Sequence, residues 1–211
     1  MMQKFQSNCL LWLFCLVLPL SALANNAAED LQQNLSQIKS LSANFEEKVY
    51  DQQGTVLQTQ TGRLAITRPN RFRWQVNKPT AQLIITNGDK LWVYDPGLQQ
   101  VTISKLSHKI DQTPILLLSS NQIDFSKTFT VAKQRDGSYL LKPKQTGQSF
   151  ESVRLWFRDN KITRLSLYSN VGQHSDIYFH HVRLNQKLND DLFQFQAPKG
   201  VDVVDQYNVK Q

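Results

Sequence analysis

Thr67-Arg68-Pro69-Asn70-Arg71-Phe72-Arg73-Trp74-Gln75-Val76 is followed, a few residues on, by Leu83-Ile84-Ile85-Thr86-Asn87-Gly88-Asp89-Lys90-Leu91-Trp92-Val93-Tyr94-Asp95-Pro96. Phe72, Trp74 and Val76 alternate with Arg73, Gln75 and Asn77, which predicts a strand with one apolar and one wet face. Leu83-Ile84-Ile85 and Leu91-Trp92-Val93-Tyr94 supply two more strands. The Asn87-Gly88 pair between them is a hairpin signal, because both residues tolerate positive φ. Phe72, Trp74, Trp92 and Tyr94 on neighbouring strands predict a wide aromatic wall.

The flanks extend this pattern. Phe45 to Tyr50 and Val56 to Leu64 flank the turn cluster Asp51-Gln52-Gln53-Gly54 and predict a hairpin, with Gly62 marking a bulge or bend. From Ala27 to Phe45, the residues Leu31, Leu35, Ile38, Leu41 and Phe45 recur at three- and four-residue spacing. That predicts an amphipathic helix capped at Asn25 or Asn26, with Glu29-Asp30 near its positive end. Its narrow apolar stripe has to lie on something apolar, and the sheet is the candidate. On the other side, Val101, Ile103 and Leu106 continue the strands, and Asp111 to Ser120 then breaks them. Thr113 can cap a helix there and Pro114 suits its first position, where a missing N–H costs nothing. The four apolar residues Ile115, Leu116, Leu117 and Leu118 make this segment greasy all round; at under two turns, only packing can hold it. Phe129-Thr130-Val131 and Tyr139-Leu140-Leu141 then bracket Arg135-Asp136-Gly137, and Val153, Leu155 and Phe157 alternate before the turn Asp159-Asn160. Ile162 to Tyr168, Ile177, Phe179 and Leu192-Phe193-Gln194-Phe195 complete the series. Roughly ten short strands at regular spacing indicate one strongly curved antiparallel sheet or barrel. No repeat or linker divides it.

Composition sets the compartment. Lys4, the apolar run Leu10 to Leu18, Pro19 and the small-x-small site Ala22-Leu23-Ala24 read as a secretory signal peptide over residues 1–24. The apolar run is shorter than the roughly 20 residues that span a bilayer. Leu13-Phe14 before Cys15 argues against a lipidated cysteine. Cleavage after Ala24 leaves one domain, 25–211, of 211 − 24 = 187 residues. Cys9 and Cys15 leave with the signal, so the mature chain is expected to have no disulfide, thiol nucleophile or Cys-ligated metal. The formal charge of +7 becomes 7 − 1 = +6 without Lys4. Arg63, Arg68, Arg71, Arg73, Arg154, Arg158, Arg164 and Arg183 are scattered, many on wet strand faces, which favours a solvated exterior over attraction to acidic partners or anionic lipid. Nucleic acid fits least, since no binding motif is present.

Catalytic signatures are missing from the sequence. There is no Gly-x-Ser-x-Gly elbow, His-Glu-x-x-His or phosphate loop, and Glu46-Glu47 point to opposite faces of a strand. His174, Asp176 and His180 share one strand face and make a metal site geometrically available, but exposed strand histidines are far commoner. The expectation is a non-enzyme without cofactor or metal. Large apolar side chains exceed what a flat sheet needs. The two helical segments either plug a concave face permanently or form a lid over space for a hydrophobic ligand. Residue spacing leaves both open.

Four stretches, in this order, resemble the LolA family of periplasmic outer-membrane lipoprotein carriers. They are Arg68-Pro69-Asn70-Arg71-Phe72-Arg73-Trp74, Asn87 to Pro96, Thr113-Pro114-Ile115-Leu116-Leu117-Leu118 and Phe193-Gln194-Phe195-Gln196-Ala197-Pro198-Lys199-Gly200-Val201. The resemblance implies an unclosed β-barrel with an α-helical lid, binding lipoprotein acyl chains in the periplasm. It also implies loading from the inner-membrane Lol ABC transporter, delivery to the outer-membrane receptor LolB, and a monomer. By position, Arg68 matches the family's lid-holding arginine and Ile115 to Leu118 the lid segment it touches. Phe72, Trp74, Trp92, Leu31 and Leu35 would then line the acyl cavity. Arg71 departs from the family pattern, where an apolar residue is common, and sets a charge at the mouth. A regulatory module that senses lipoproteins with the same half-barrel is the alternative; such proteins usually carry a second domain, for which 187 residues (211 − 24) leave little room.

Overall fold

The alternating runs pair into one sheet. The computed structural model describes residues 22–106, 114–120 and 123–207. Its strands are β1 (Ser40–Tyr50), β2 (Val56–Thr67), β3 (Arg71–Lys78), β4 (Gln82–Asn87), β5 (Lys90–Asp95) and β6 (Gln100–Lys105), then β7 (Phe129–Lys133), β8 (Tyr139–Pro143), β9 (Phe150–Arg158), β10 (Lys161–Ser169), β11 (His174–Leu184) and β12 (Asp202–Asp205). They lie in the order β12-β6-β5-β4-β3-β2-β1-β11-β10-β9-β8-β7. Two meanders, β1 to β6 and β7 to β11, are thus zipped together by the β1–β11 pair. β12 and β7 remain as separate edges, and the barrel is unclosed. The sheet departs from the antiparallel expectation at one pair, since β12 runs parallel to β6 with Val203 opposite Val101.

The N-terminal helix differs from its prediction at both ends. Helix α1 spans Ala22–Ser36, so it begins before Asn25 and Asn26 and runs through Ala22-Leu23-Ala24. It also stops short of Leu41 and Phe45, which belong to β1. Leu41, Ala43 and Phe45 repeat at two-residue spacing as well, and β1 is bonded along both sides, to β2 and β11. Two ladders satisfy every second backbone group on each flank, which no helical continuation could offer to β2 and β11. Asn185, at φ 57, fastens the junction. Its Oδ1 accepts from the backbone N–H of Lys39 at 2.7 Å, and its Nδ2 donates to the Gln37 carbonyl at 3.1 Å.

The two faces of the sheet have separate cores. The inner face gathers Phe72, Trp74 and Val76 with Leu64 and Ile66, with Val153, Leu155 and Leu165 of β9 and β10, and with the helix residues Leu31 and Leu35. On the outer face, Ile85, Trp92 and Val101 form a second cluster, roofed by Phe195, Ala197 and Val201. Trp92 therefore does not share a wall with Trp74, which corrects the single aromatic wall expected from the sequence. Trp74 pairs with Ile84 and Ile84 with Val93, so the register leaves Trp92 opposite Ile85 on the other face. Leu192-Phe193 is likewise not a strand. It ends a 3-10 helix, Asp190–Phe193, whose Phe193 is buried against the outer side of the sheet. No helix among the described residues is long and apolar enough to cross a membrane.

Candidate functional site

The inner face is lined by Phe72 and Trp74, and the Trp74 ring stacks on Phe45 with centroids 3.5 Å apart. Gly62 makes that stack possible. A Cβ there would sit 2.4 Å from the Phe45 ring and 2.1 Å from the Gln75 carbonyl oxygen, so only glycine leaves the space. The bend expected at Gly62 is present as a register shift between Thr61 and Gly62.

Two segments cover this floor. Leu31 and Leu35 of α1 are buried in the same cluster as Phe72 and Trp74. A polar pin holds α1 in place: Asp30 Oδ2 accepts from Lys133 Nζ and from the Tyr139 hydroxyl, each at 2.6 Å. Those two bonds, the Lys133 one foremost, hold the Asp30 carboxyl below the ordinary carboxylate range. The second cover is the 3-10 helix Pro114–Leu118, with Leu116, Leu117 and Leu118 buried and Ile115 half-buried against the same core. Its start at Pro114 agrees with the sequence reading; the cap expected at Thr113 lies outside the described residues, as does His108.

Two polar contacts meet the C-terminal end of this short helix. Arg68 Nη2 donates to the Leu118 carbonyl at 2.8 Å, and the Asn70 N–H donates to the Ser119 carbonyl at 2.9 Å. A short helix leaves its last carbonyls free, and these two donors supply partners for them. Burial pushes the Arg68 guanidinium below its ordinary value. Its Nε, like the neighbouring Thr67 Oγ1, is buried with no hydrogen-bond partner among the described residues. Beside Leu117, a cleft of about 330 Å³ is walled by Ile123, Phe129 and Phe150 on its apolar side and by Lys127, Gln145 and Gln148 on its polar side.

The remaining candidates lie elsewhere. Arg71 is ion-paired with Asp190, and its guanidinium sits 5.6 Å from the Phe193 ring centroid. Sequence reasoning did not find Asp190 or Asn185, whose signal was only a polar loop between strands. His174 is stacked between Tyr50 and Tyr168, and Asp176 is engaged by Ser166 and Arg164. Leu31, Leu35, Phe72, Trp74 and Leu116 to Leu118 are thus brought together with Ile115 and Arg68 at their border, while Trp92 belongs to the opposite face.

Comparison with known proteins agrees with this architecture. The chain is 39% identical over 181 residues to an outer-membrane lipoprotein carrier protein of Pseudomonas aeruginosa (strain UCBPP-PA14), covering 84% of this chain and 87% of that one. It is 37% identical over 177 residues to the protein of the same name from Azotobacter vinelandii, covering 82% and 86%. A conserved protein from Thermus thermophilus, solved by crystallography, shares the fold at a TM-score of 0.51 and 16% identity, covering 87% of this chain and 99% of that chain. The family model described as outer membrane lipoprotein carrier protein LolA matches residues 36–196. The chain belongs to the LolA family of outer membrane lipoprotein carrier proteins.

Proposed function

We propose that this protein is a periplasmic chaperone that carries lipoproteins by enclosing their acyl chains on the inner face of the sheet. One observation carries the reading. A buried apolar floor of Phe72, Trp74, Leu31 and Leu35 is covered by a five-residue 3-10 helix whose C-terminal end is met by an arginine bond and a backbone bond. Such a cover is easily displaced and apolar on its underside, which suits a space that must be opened for a fatty chain and then closed. In this reading Ile115, Leu116, Leu117 and Leu118 are the lid and Arg68 is its latch. Trp92 takes no part.

Magnitudes restrict how the cargo is held. Each acyl methylene contributes about 0.8 kcal/mol on burial, so full enclosure of several long chains would exceed the practical ceiling of about 20 kcal/mol for non-covalent affinity. A carrier must also release. The closed lid therefore competes with cargo for the same apolar surface, and coverage of the chains is partial. The family reading supplies the route: residues 1–24 are removed on export, the domain 25–211 acts as a monomer, the Lol ABC transporter of the inner membrane loads it, and LolB receives the cargo. Depletion followed by membrane fractionation tests this, with lipoproteins expected to stall at the inner membrane. Normal delivery without the protein would overturn it.

A further inference from the structure

Next to the lid lies a second, wetter cleft of about 920 Å³, whose wall includes Lys39, Thr67, Arg68, Arg71, Lys187 and Asp190. Asp190 is committed to Arg71. Lys39, Arg68 and Lys187 have no carboxylate partner among the described residues, so the described wall of the cleft carries more positive charge than negative. Two atoms of its wall residues, Thr67 Oγ1 and Arg68 Nε, are buried donors without a hydrogen-bond partner among the described residues. Buried polar groups are nearly always partnered, and an orphaned pair beside excess charge marks a place for an oxygen-rich anion.

The geometry of Arg68 ties this cleft to the lid. An oxyanion grips a guanidinium with two parallel bonds along the edge formed by Nε and Nη2. Here Nη2 is held by the Leu118 carbonyl and Nε is sealed from solvent. We propose that the cleft binds a phosphate-type oxyanion between Lys39, Lys187 and Arg68, and that its occupation and the closed lid exclude one another. The tetrahedral anion presents oxygens in several directions, as cations arranged around a cleft require; a carboxylate presents two in one plane. By linkage, phosphate favours the open lid and lid closure weakens phosphate. This inference rests on Arg68 being the latch. Inorganic phosphate and a phospholipid headgroup share the chemistry.

The test follows amide hydrogen exchange at Asn70, whose N–H bonds across to the lid at Ser119, while the purified protein is titrated with inorganic phosphate against chloride of equal ionic strength. Saturable binding should speed that exchange about tenfold. The double variant Lys39→Gln/Lys187→Gln, which leaves the latch bond in place, should weaken phosphate by about fivefold or more and leave exchange in phosphate-free buffer unchanged. Phosphatidylglycerol vesicles in phosphate-free buffer separate the sources: a larger effect than free phosphate assigns the headgroup, and a smaller one assigns the free ion. Phosphate acting no better than chloride, binding without faster exchange, or an unaltered response in the double variant would each overturn the proposal. Uptake of the neutral dye Nile red in phosphate-free buffer probes the apolar cavity independently, so failure here and failure of the carrier reading are distinguishable.

Discussion

Replacing Arg68 by leucine tests the latch. Burying Leu116, Leu117 and Leu118 contributes about 5–9 kcal/mol, at about 1.5–3 kcal/mol per side chain. Fixing the five residues of the 3-10 helix costs a similar amount, about 5–10 kcal/mol at about 1–2 kcal/mol per residue. These contributions cancel to within their spread, so the polar tethers decide whether the lid is closed. The substitution removes the bond from Nη2 and strands the Leu118 carbonyl. It also removes a partly desolvated guanidinium with an orphaned Nε, which offsets part of the loss. About 1–2 kcal/mol against closure remains, a shift of about five- to thirtyfold towards the open lid. Stopped-flow release of a fluorescent fatty acyl probe into acceptor vesicles should slow by that factor, because the competing closed state is weakened. Exchange at the Asn70 and Ser119 amides should speed up by the same factor. Arg68→Lys, which keeps the charge but loses the fork, should fall between the two. Unchanged release together with unchanged exchange would refute the latch.

Other perturbations separate the two faces and the two covers. Gly62→Ala drives a methyl into the Phe45 ring and the Gln75 carbonyl; urea unfolding should show a loss of about 3 kcal/mol or more, at the upper end for overpacking. Trp74→Ala and Trp92→Ala should each cost about 3–5 kcal/mol, but only the first should alter Nile red uptake, since Trp92 lies in the outer cluster. Asp30 titrates from a depressed native value, so its contribution is complete above the unfolded pKa and is lost as pH falls from about 4 through the lower native one. Acid titration should therefore loosen α1, read by hydrogen exchange, and Asp30→Asn should flatten that response.

Much of this was legible in the residues. Phe72, Trp74 and Val76 are buried and their odd-numbered neighbours are wetter, as strict alternation requires. Pro114 opens the short greasy helix, and Arg68 reaches its end. Three features misled. The run Leu31, Leu35, Ile38, Leu41, Phe45 fits a helical period throughout, yet its last members also fit a strand, and β1 wins because two neighbouring strands need its backbone. Leu83-Ile84-Ile85 is apolar on both faces, so alternation there carries no parity and could not say on which side Trp92 would fall. Leu192 to Phe195 has strand-like composition, but Leu192 and Phe193 end a 3-10 helix capped by Asn189, whose side chain accepts from the Asp191 N–H, and Gln194 and Phe195 lie beyond it outside any strand.

Strands, turns and the presence of a short apolar cover were written into the residue order, because alternation, glycine and proline act over a few residues. Which face each aromatic ring occupies, where α1 yields to β1, and the meeting of Arg68 with Leu118 while its Nε goes without a partner emerged only from the folded chain. Those outcomes depend on register and on contacts between residues some fifty positions apart, and no local pattern encodes them.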